Sequence, residues 1–344
     1  MNSFFIEFRD PLFGIIIFFL IIFFISFLSY WWGRFKRYED HKKLSKFISK
    51  FHSVNDEEFE EITKNISQKS LLILAEAYLQ SSEYKKSIQV YKLLIERCTV
   101  SSVRLEITFA LAKTYFKAGF LERAKKLFLI ILKESPRSPD VLKYLLLIYE
   151  QLKLYSKALE VIEPLEELKV EVTAQKSYIK CMLIINDQTL ETAQKVKKLV
   201  DIYKKDKLHT HLIFEFLFLH DSSTAWQNLD LSKCEDIIDT LFMLDESKLN
   251  SEIISENGYL RELYSAKGYV ELAEKSSVFE FDLLIHLKRS NIKSATLMFE
   301  YTCNECKESL AFSYGRCPYC HNIDSLKPQL YLTKDHFEKN LSFQ

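Results

Sequence analysis

A spacing that returns along the first half of the chain limits its fold more than any other feature. Tyr78, Tyr115 and Tyr149 are each followed nine residues later by a small residue, Ser87, Ala124 or Ala158. Four residues beyond that stands a large one: Tyr91, Phe128 or Ile162. An apolar pair precedes each tyrosine (Leu74-Ala75, Leu111-Ala112, Leu145-Leu146), and the tyrosines lie 37 and 34 residues apart. Units of this length hold two antiparallel helices, in which the small residues let the helices approach closely and the large ones fill the space between units. Helices without a repeat also place apolar residues at 3.6 spacing, but they do not hold the joint offsets from tyrosine to small to large.

These offsets, with Pro136 closing the second unit, are the tetratricopeptide pattern. Six glycines and six prolines in 344 residues agree with packed helices rather than a sandwich with many turns. An array over residues 51–290 is therefore expected. The repeat decays after Ile162. Ala193 continues the small position 35 residues after Ala158, with Ile184 in place of tyrosine and an irregular Asn186-Asp187 loop. Leu263-Tyr264 with Ala273 is a last recognisable unit. Between them, His209 to Leu244, with its apolar run HLIFEFLFLH interrupted by Asp221-Ser-Ser-Thr, predicts two packed helices without consensus, whose apolar excess is expected as core or inter-repeat packing, with an exposed partner groove as the alternative. Cys98, Cys181 and Cys234 stand alone and are expected as small core residues. His209, His211 and His220 have no acidic cluster of ligand spacing beside them and are expected as core or surface histidines. No phosphate loop, G-x-S-x-G or H-E-x-x-H is present, so no enzyme is indicated. Helical arrays present a concave surface to other proteins, which makes binding the expected function.

Leu12 to Trp32, LFGIIIFFLIIFFISFLSYWW, is 21 residues without a charge. At helical rise it covers about 30 Å, the thickness of a bilayer core, and predicts a transmembrane helix. Glu7, Arg9 and Asp10 before it, and the aromatic end Tyr30-Trp31-Trp32, do not suit a cleaved signal peptide. Directly after it come Arg34, Lys36, Arg37, Lys42, Lys43, Lys46 and Lys50 against Glu39 and Asp40. Positive charge on that side predicts a periplasmic tail at 1–11, a basic juxtamembrane segment at 33–50 and a cytoplasmic remainder. Across the whole chain 47 basic residues balance 47 acidic ones, so no nucleic-acid partner is indicated.

Four cysteines are confined to 18 residues: Cys303-Asn-Glu-Cys306, a ten-residue loop, and Cys317-Pro-Tyr-Cys320. Paired C-x-x-C turns at this separation can bring four thiolates onto one metal ion, and zinc and iron both accept that set. Two disulfides are the competing use of the same cysteines, one that a reducing compartment disfavours. Four protein ligands leave no open position, so the metal is expected to be structural. His321, next to Cys320, is poorly placed as a further ligand. The segment has too few apolar residues for a core of its own, so the metal would supply most of its folding free energy.

The order of anchor, basic collar, repeat array and four-cysteine knuckle resembles the lipopolysaccharide assembly protein B family of bacterial inner-membrane proteins. The likeness is carried by Tyr30-Trp31-Trp32-Gly33-Arg34 and by Tyr301-x-Cys303-x-x-Cys306-x10-Cys317-Pro-x-Cys320 followed by Ser325-Leu-Lys-Pro328. It implies an all-α tetratricopeptide-repeat solenoid with an N-terminal transmembrane helix. It also implies a rubredoxin-like metal-binding domain, here 299–330, that packs on the last repeats and precedes a tail at 331–344. Cys303, Cys306, Cys317 and Cys320 would be the ligands of one zinc or iron ion. The implied role is an adaptor that works with a membrane AAA+ protease to control turnover of the lipid A deacetylase. A non-proteolytic scaffold gathering envelope-assembly proteins is the alternative, and self-association is left open. The sequence departs from the family at Lys307, where glycine is usual, and at Gly315, where tryptophan is usual.

Overall fold

In the computed structural model the described residues are 66–271, 275–292 and 294–334, together with Leu20, Phe23, Phe24 and Phe27. Those four are helical with exposed side chains. The rest of the 12–32 span, the basic segment 33–50, residues 51–65, Ala273 and the tail beyond Lys334 lie outside the described residues. Among the described residues no helix is long and apolar enough to cross a membrane.

The chain divides into two compact units, Met1–Ile107 and Thr108–Gln344. In the first, α1 (Gln68–Gln80) packs on α2 (Tyr84–Arg97). Ser67 caps α1 by accepting from the Ser70 N–H, which satisfies one of the free donors of its first turn. Leu74, Ala75, Tyr78, Ser87 and Tyr91 are all buried. Ser87 shows why a polar residue is tolerated at the small position: its hydroxyl donates to the Ala75 carbonyl at 2.8 Å, so that buried hydroxyl is paired.

Helix α3 (Ser101–Lys117) leads into the second unit, followed by α4 (Leu121–Glu134), α5 (Pro139–Gln151), α6 (Tyr155–Glu167), α7 (Thr173–Asn186) and α8 (Thr192–Asp206). The repeat positions Leu111, Ala112, Tyr115, Ala124, Phe128, Leu145, Leu146, Tyr149, Ala158 and Ile162 are buried as their spacing predicts. The described array is thus tetratricopeptide-like. Each repeat tyrosine also ends its helix in one way. The carbonyls of Tyr78, Tyr115 and Tyr149 accept from the N–H five residues on, in Glu83, Phe120 and Leu154, at 2.8 to 2.9 Å. The residue between, Ser82, Gly119 or Lys153, takes φ of +60°, +77° or +58°. This closes the helix with a left-handed residue and satisfies its last carbonyls. Tyr264 repeats the arrangement with Gly268 and Tyr269, so Leu263-Tyr264 is a repeat-like unit in its backbone as well as its sequence.

Two expectations are corrected. Ala193 is exposed in the first turn of α8, because the loop after Asn186 is longer than the earlier ones and shifts the helix start. Val196, Leu199, Val200 and Tyr203 fill the core from α8 instead. His209 to Leu244 forms not two helices but α9 (Thr210–His220), α10 (Ser222–Asn228), a 3₁₀ turn (Leu231–Ile237) and α11 (Ile238–Met243). Asp221 and Asp230 each cap a new segment through side-chain bonds to the N–H groups of Thr224 and Ser232, and so divide the run. Its apolar side chains are core, with Ile213, Phe214, Leu217, Phe218 and Trp226 buried. Then follow α12 (Ser251–Glu256), α13 (Gly258–Lys267) and α14 (Phe279–Arg289).

The all-α label is also incomplete. After α14 the chain forms an antiparallel sheet of β1 (Ala295–Cys303), β2 (Ser309–Leu310) and β3 (Leu326–Lys334) in the order β2-β1-β3. The strands extend past residues 299 and 330 on both sides, and Ala295 pairs with Lys334 and Cys303 with Leu326. Alternation along β1 buries Leu297, Phe299 and Tyr301, which join one core with α11, α13 and α14.

Candidate metal centre

The sheet sets the first knuckle at the end of β1, and a tight turn sets the second. Cys303 donates its N–H to the Glu308 carbonyl and accepts at its own carbonyl from Lys307 N, both at 2.9 Å. In the second knuckle Cys317 donates to Asn322 at 2.9 Å and accepts from His321 N at 3.0 Å. The two turns are near copies. Each places the residue after its second cysteine in the left-handed region, Lys307 at φ +63° and His321 at +62°. Lysine therefore adopts the turn for which glycine is better suited, at a cost of about 1–2 kcal/mol.

These turns bring together all four cysteines expected from the sequence, with every Sγ within 4.8 Å of the others. None is in a disulfide. Cys303 and Cys320 lie 3.6 Å apart and Cys306 and Cys317 3.7 Å. Sulfurs about 2.3 Å from a tetrahedral ion are about 3.8 Å from one another, so the set fits a zinc-sized or iron-sized ion. Burial pushes the Cys303 thiol up, but the Ser325 hydroxyl at 3.3 Å and the N–H groups of Cys306 and Glu305 outweigh it and bring it to about 6. Cys306 and Cys320 move the other way: the Glu308 N–H lowers Cys306, but burial and neighbouring sulfurs outweigh it, and burial and neighbouring sulfurs likewise outweigh the Asn322 N–H at Cys320. Four thiolates this close repel unless a cation lies among them, so the cluster could hold a metal ion. The lone thiols differ: burial pushes Cys181 and Cys234 up to about 12, the behaviour of inert core residues.

The metal unit does not rest on the last helices alone. Arg316, beside Cys317, has its Nε 2.9 Å from both carboxylate oxygens of Glu150 on α5 and lies over the Tyr178 ring of α7 at 5.5 Å. The His321 ring meets the edge of Phe116 on α3 at 5.7 Å. Asp324 Oδ2 lies 2.9 Å from His209 N and 2.7 Å from its Nδ1. Tyr301 donates to Asp239 Oδ2 at 2.6 Å, and His211 Nε2 lies 2.7 Å from the same oxygen. Lys327 reaches Asp236 at 2.6 Å. Gly315 leaves no room for a side chain, because even a Cβ there would stand 2.7 Å from the Tyr178 ring.

His209 and His211 are thus docking residues, while His220 is exposed and outside this network. Sequence reasoning missed Asp239, Glu150 and Asp324, whose partners stand 62, 166 and 115 residues away. One signal was present: Phe116 and Glu150 each directly follow a repeat tyrosine, which puts them on the same face of successive first helices.

No family model matches the chain, and no curated protein matches it. Among solved structures it is similar to a tetratricopeptide repeat protein from Parabacteroides merdae, at a TM-score of 0.38 and 15% identity over 72% of this chain and 96% of that one. It is also similar to a putative kinesin light chain with nearly identical TPR-like repeats from Podosopora anserina, at a TM-score of 0.25 and 15% identity over 64% and 95%. Likenesses this slight carry no function, and the repeat fold rests on the helix pairs described above.

Proposed function

We propose that this chain is a membrane-tethered adaptor whose repeat array binds other proteins and whose metal unit is structural. The observation that carries the reading is the seating of the four-cysteine unit on residues of α3, α5, α7 and α11, which joins those helices and the knuckle in one body. Cys303, Cys306, Cys317 and Cys320 hold one zinc or iron ion, and a closed set of four protein ligands keeps it from catalysis. The uncharged run Leu12 to Trp32 tethers the array to the inner membrane with its bulk in the cytoplasm, which raises the effective concentration toward any membrane-bound partner.

The partners follow from the resemblance: a membrane AAA+ protease and the lipid A deacetylase whose turnover it controls. The test is to delete the gene and follow proteome turnover, with a complementing copy that lacks residues 1 to 33. The deacetylase is expected to accumulate in the deletion, and the untethered copy is expected to fold but not restore turnover. A deacetylase level indifferent to both would leave the non-proteolytic scaffold as the function.

A further inference from the structure

We propose that the second knuckle is a metal-held cap over an arginine-accepting surface of the array, and that loss of the metal uncovers that surface to an arginine-bearing segment of a partner protein. This rests on the reading of the four cysteines as metal ligands and not on the identity of any client.

Three consecutive helix pairs contribute one residue each from their first helix: Phe116, Glu150 and Tyr178. All three meet residues that flank the ligand cysteines of the second knuckle. Gly315 lies against the Tyr178 ring, closer than any side chain would permit. Arg316 Nε donates to the Glu150 carboxylate, and Nη2 lies 2.7 Å from the same group. Its Nη1 donates to the His321 carbonyl, and the His321 ring meets Phe116. The positions of 315, 316 and 321 are set by the knuckle turn itself. Cys317 N–H bonds to Asn322, His321 N–H to Cys317 and Asp324 N–H to Gly315, and Arg316 bridges to Ile323.

Magnitudes decide what holds the cap in place. The Arg316 and Glu150 side chains are only 11% and 12% exposed, and removing such charges from water offsets most of their attraction. The pair therefore does not order the loop unaided. Four metal–thiolate bonds would, since in small zinc-binding peptides the energy of metal binding is the energy of folding. Without the metal the loop regains its freedom, and the two groups that hold Arg316, the Glu150 carboxylate and the Tyr178 ring, are left open to another guanidinium. A carboxylate and an aromatic face that can reach one guanidinium form a receptor for it, since they offer two parallel hydrogen bonds and a cation–π contact to one planar group.

The test uses the purified full chain in detergent, with metal content measured first. Less than about one metal per chain would reject the metal reading itself. The metal is then stripped with a thiol-directed mercurial followed by a chelator. Two readouts follow: amide exchange, and binding of a labelled peptide with the sequence of residues 313–322 in which both cysteines are serine. Stripping is expected to speed exchange around Glu150 and Tyr178 while leaving α1 and α2 unchanged. It is also expected to raise peptide affinity by about tenfold or more. Glu150→Gln in the stripped chain, and lysine for arginine in the peptide, are each expected to remove that gain. Equal peptide binding before and after stripping, a gain that survives Glu150→Gln, or unchanged exchange at Glu150 and Tyr178 in a chain shown to have lost its metal would overturn the cap while leaving the metal assignment standing.

Discussion

At Lys153 in the array and at Lys307 in the first knuckle the chain puts a lysine into the left-handed region, at φ +58° and +63°. Both turns end with their carbonyls satisfied, through Leu154 N to Tyr149 O and through Lys307 N to Cys303 O. The surroundings differ. Around Lys153 lie buried Tyr149, Ala158 and Ile162, and each large side chain there contributes about 1.5–3 kcal/mol of burial. Cys306 and Cys320 in the knuckles are half-buried, and the residues around them are mostly exposed. The array can hold an unfavourable turn by packing, whereas the knuckle has its docking contacts and, on the function proposed above, its ligand set.

The largest effect that separates the two regions is expected from Cys306→Ser. Metal content should fall to near zero and exchange protection should be lost across β1 to β3. Because Leu297, Phe299 and Tyr301 share a core with α11, α13 and α14, the loss should extend into those helices. Protection in α1 and α2 should remain. Exchange followed by mass spectrometry reads this directly, and protection unchanged in α13 and α14 would mean that the array does not need the unit docked on it.

Next in size is Glu150→Ala, which leaves the Arg316 guanidinium buried without its carboxylate and is expected to cost about 3–5 kcal/mol in docking of the metal unit. Urea unfolding followed at the metal unit checks it. Glu150→Gln, which keeps a hydrogen-bond acceptor, should cost less. Metal content should be retained in both, which distinguishes a docking defect from a ligand defect.

A smaller effect is expected from pH, through Asp239. Burial lowers the pKa of His211, but the hydrogen bond and charge of Asp239, with Glu215 and Asp324, outweigh it and raise it above its usual 6.5. Burial raises Asp239, but His211 and Tyr301 outweigh it and hold it below 3.8. A raised histidine gives stability that is full below its unfolded pKa and is lost as pH rises through the folded value. A depressed carboxylate gives stability present above its unfolded pKa and lost as pH falls through the folded value. The pair should therefore support docking best between about pH 4 and 6.5 and weaken on both sides. Asp239→Asn should flatten the urea midpoint against pH and cost about 1–3 kcal/mol within that window.

The same contrast marks how much could be read from the residues alone. Tyr78, Tyr115 and Tyr149 announced their helix pairs because a packed repeat constrains residues at short, fixed offsets. Cys303 to Cys320 announced their cluster because ligand turns do the same. Ala193 misled because one longer loop after Asn186 moved a helix start, and a single offset cannot show that shift. The sheet was missed because β1 alternates buried with less buried residues only from Leu297 to Cys303, a run that ends in the cysteine motif itself. The docking network was illegible because Asp239, Glu150 and Asp324 are ordinary charged residues until folding brings distant segments to them.

The smallest expected effect sharpens the comparison most, because the same substitution is made in both regions. Glycine takes the left-handed region freely, so Lys153→Gly and Lys307→Gly each relieve about 1–2 kcal/mol of backbone strain. Part of that is returned, since glycine also frees the unfolded chain, and a net gain of about 0.5–1 kcal/mol is expected at each site. Where the gain is read should differ. Lys153→Gly should raise the urea midpoint of the array and leave metal affinity unchanged, because its turn is closed by Tyr149 and buried neighbours. Lys307→Gly should leave the array midpoint nearly unchanged and tighten metal binding by about two- to fivefold in a chelator competition. Its turn precedes no packed helix, and Lys307 directly follows Cys306, so the relief is expected in the ligand set. Equal gains in the array midpoint from both substitutions would show that packing, and not the metal, sets the knuckle turn.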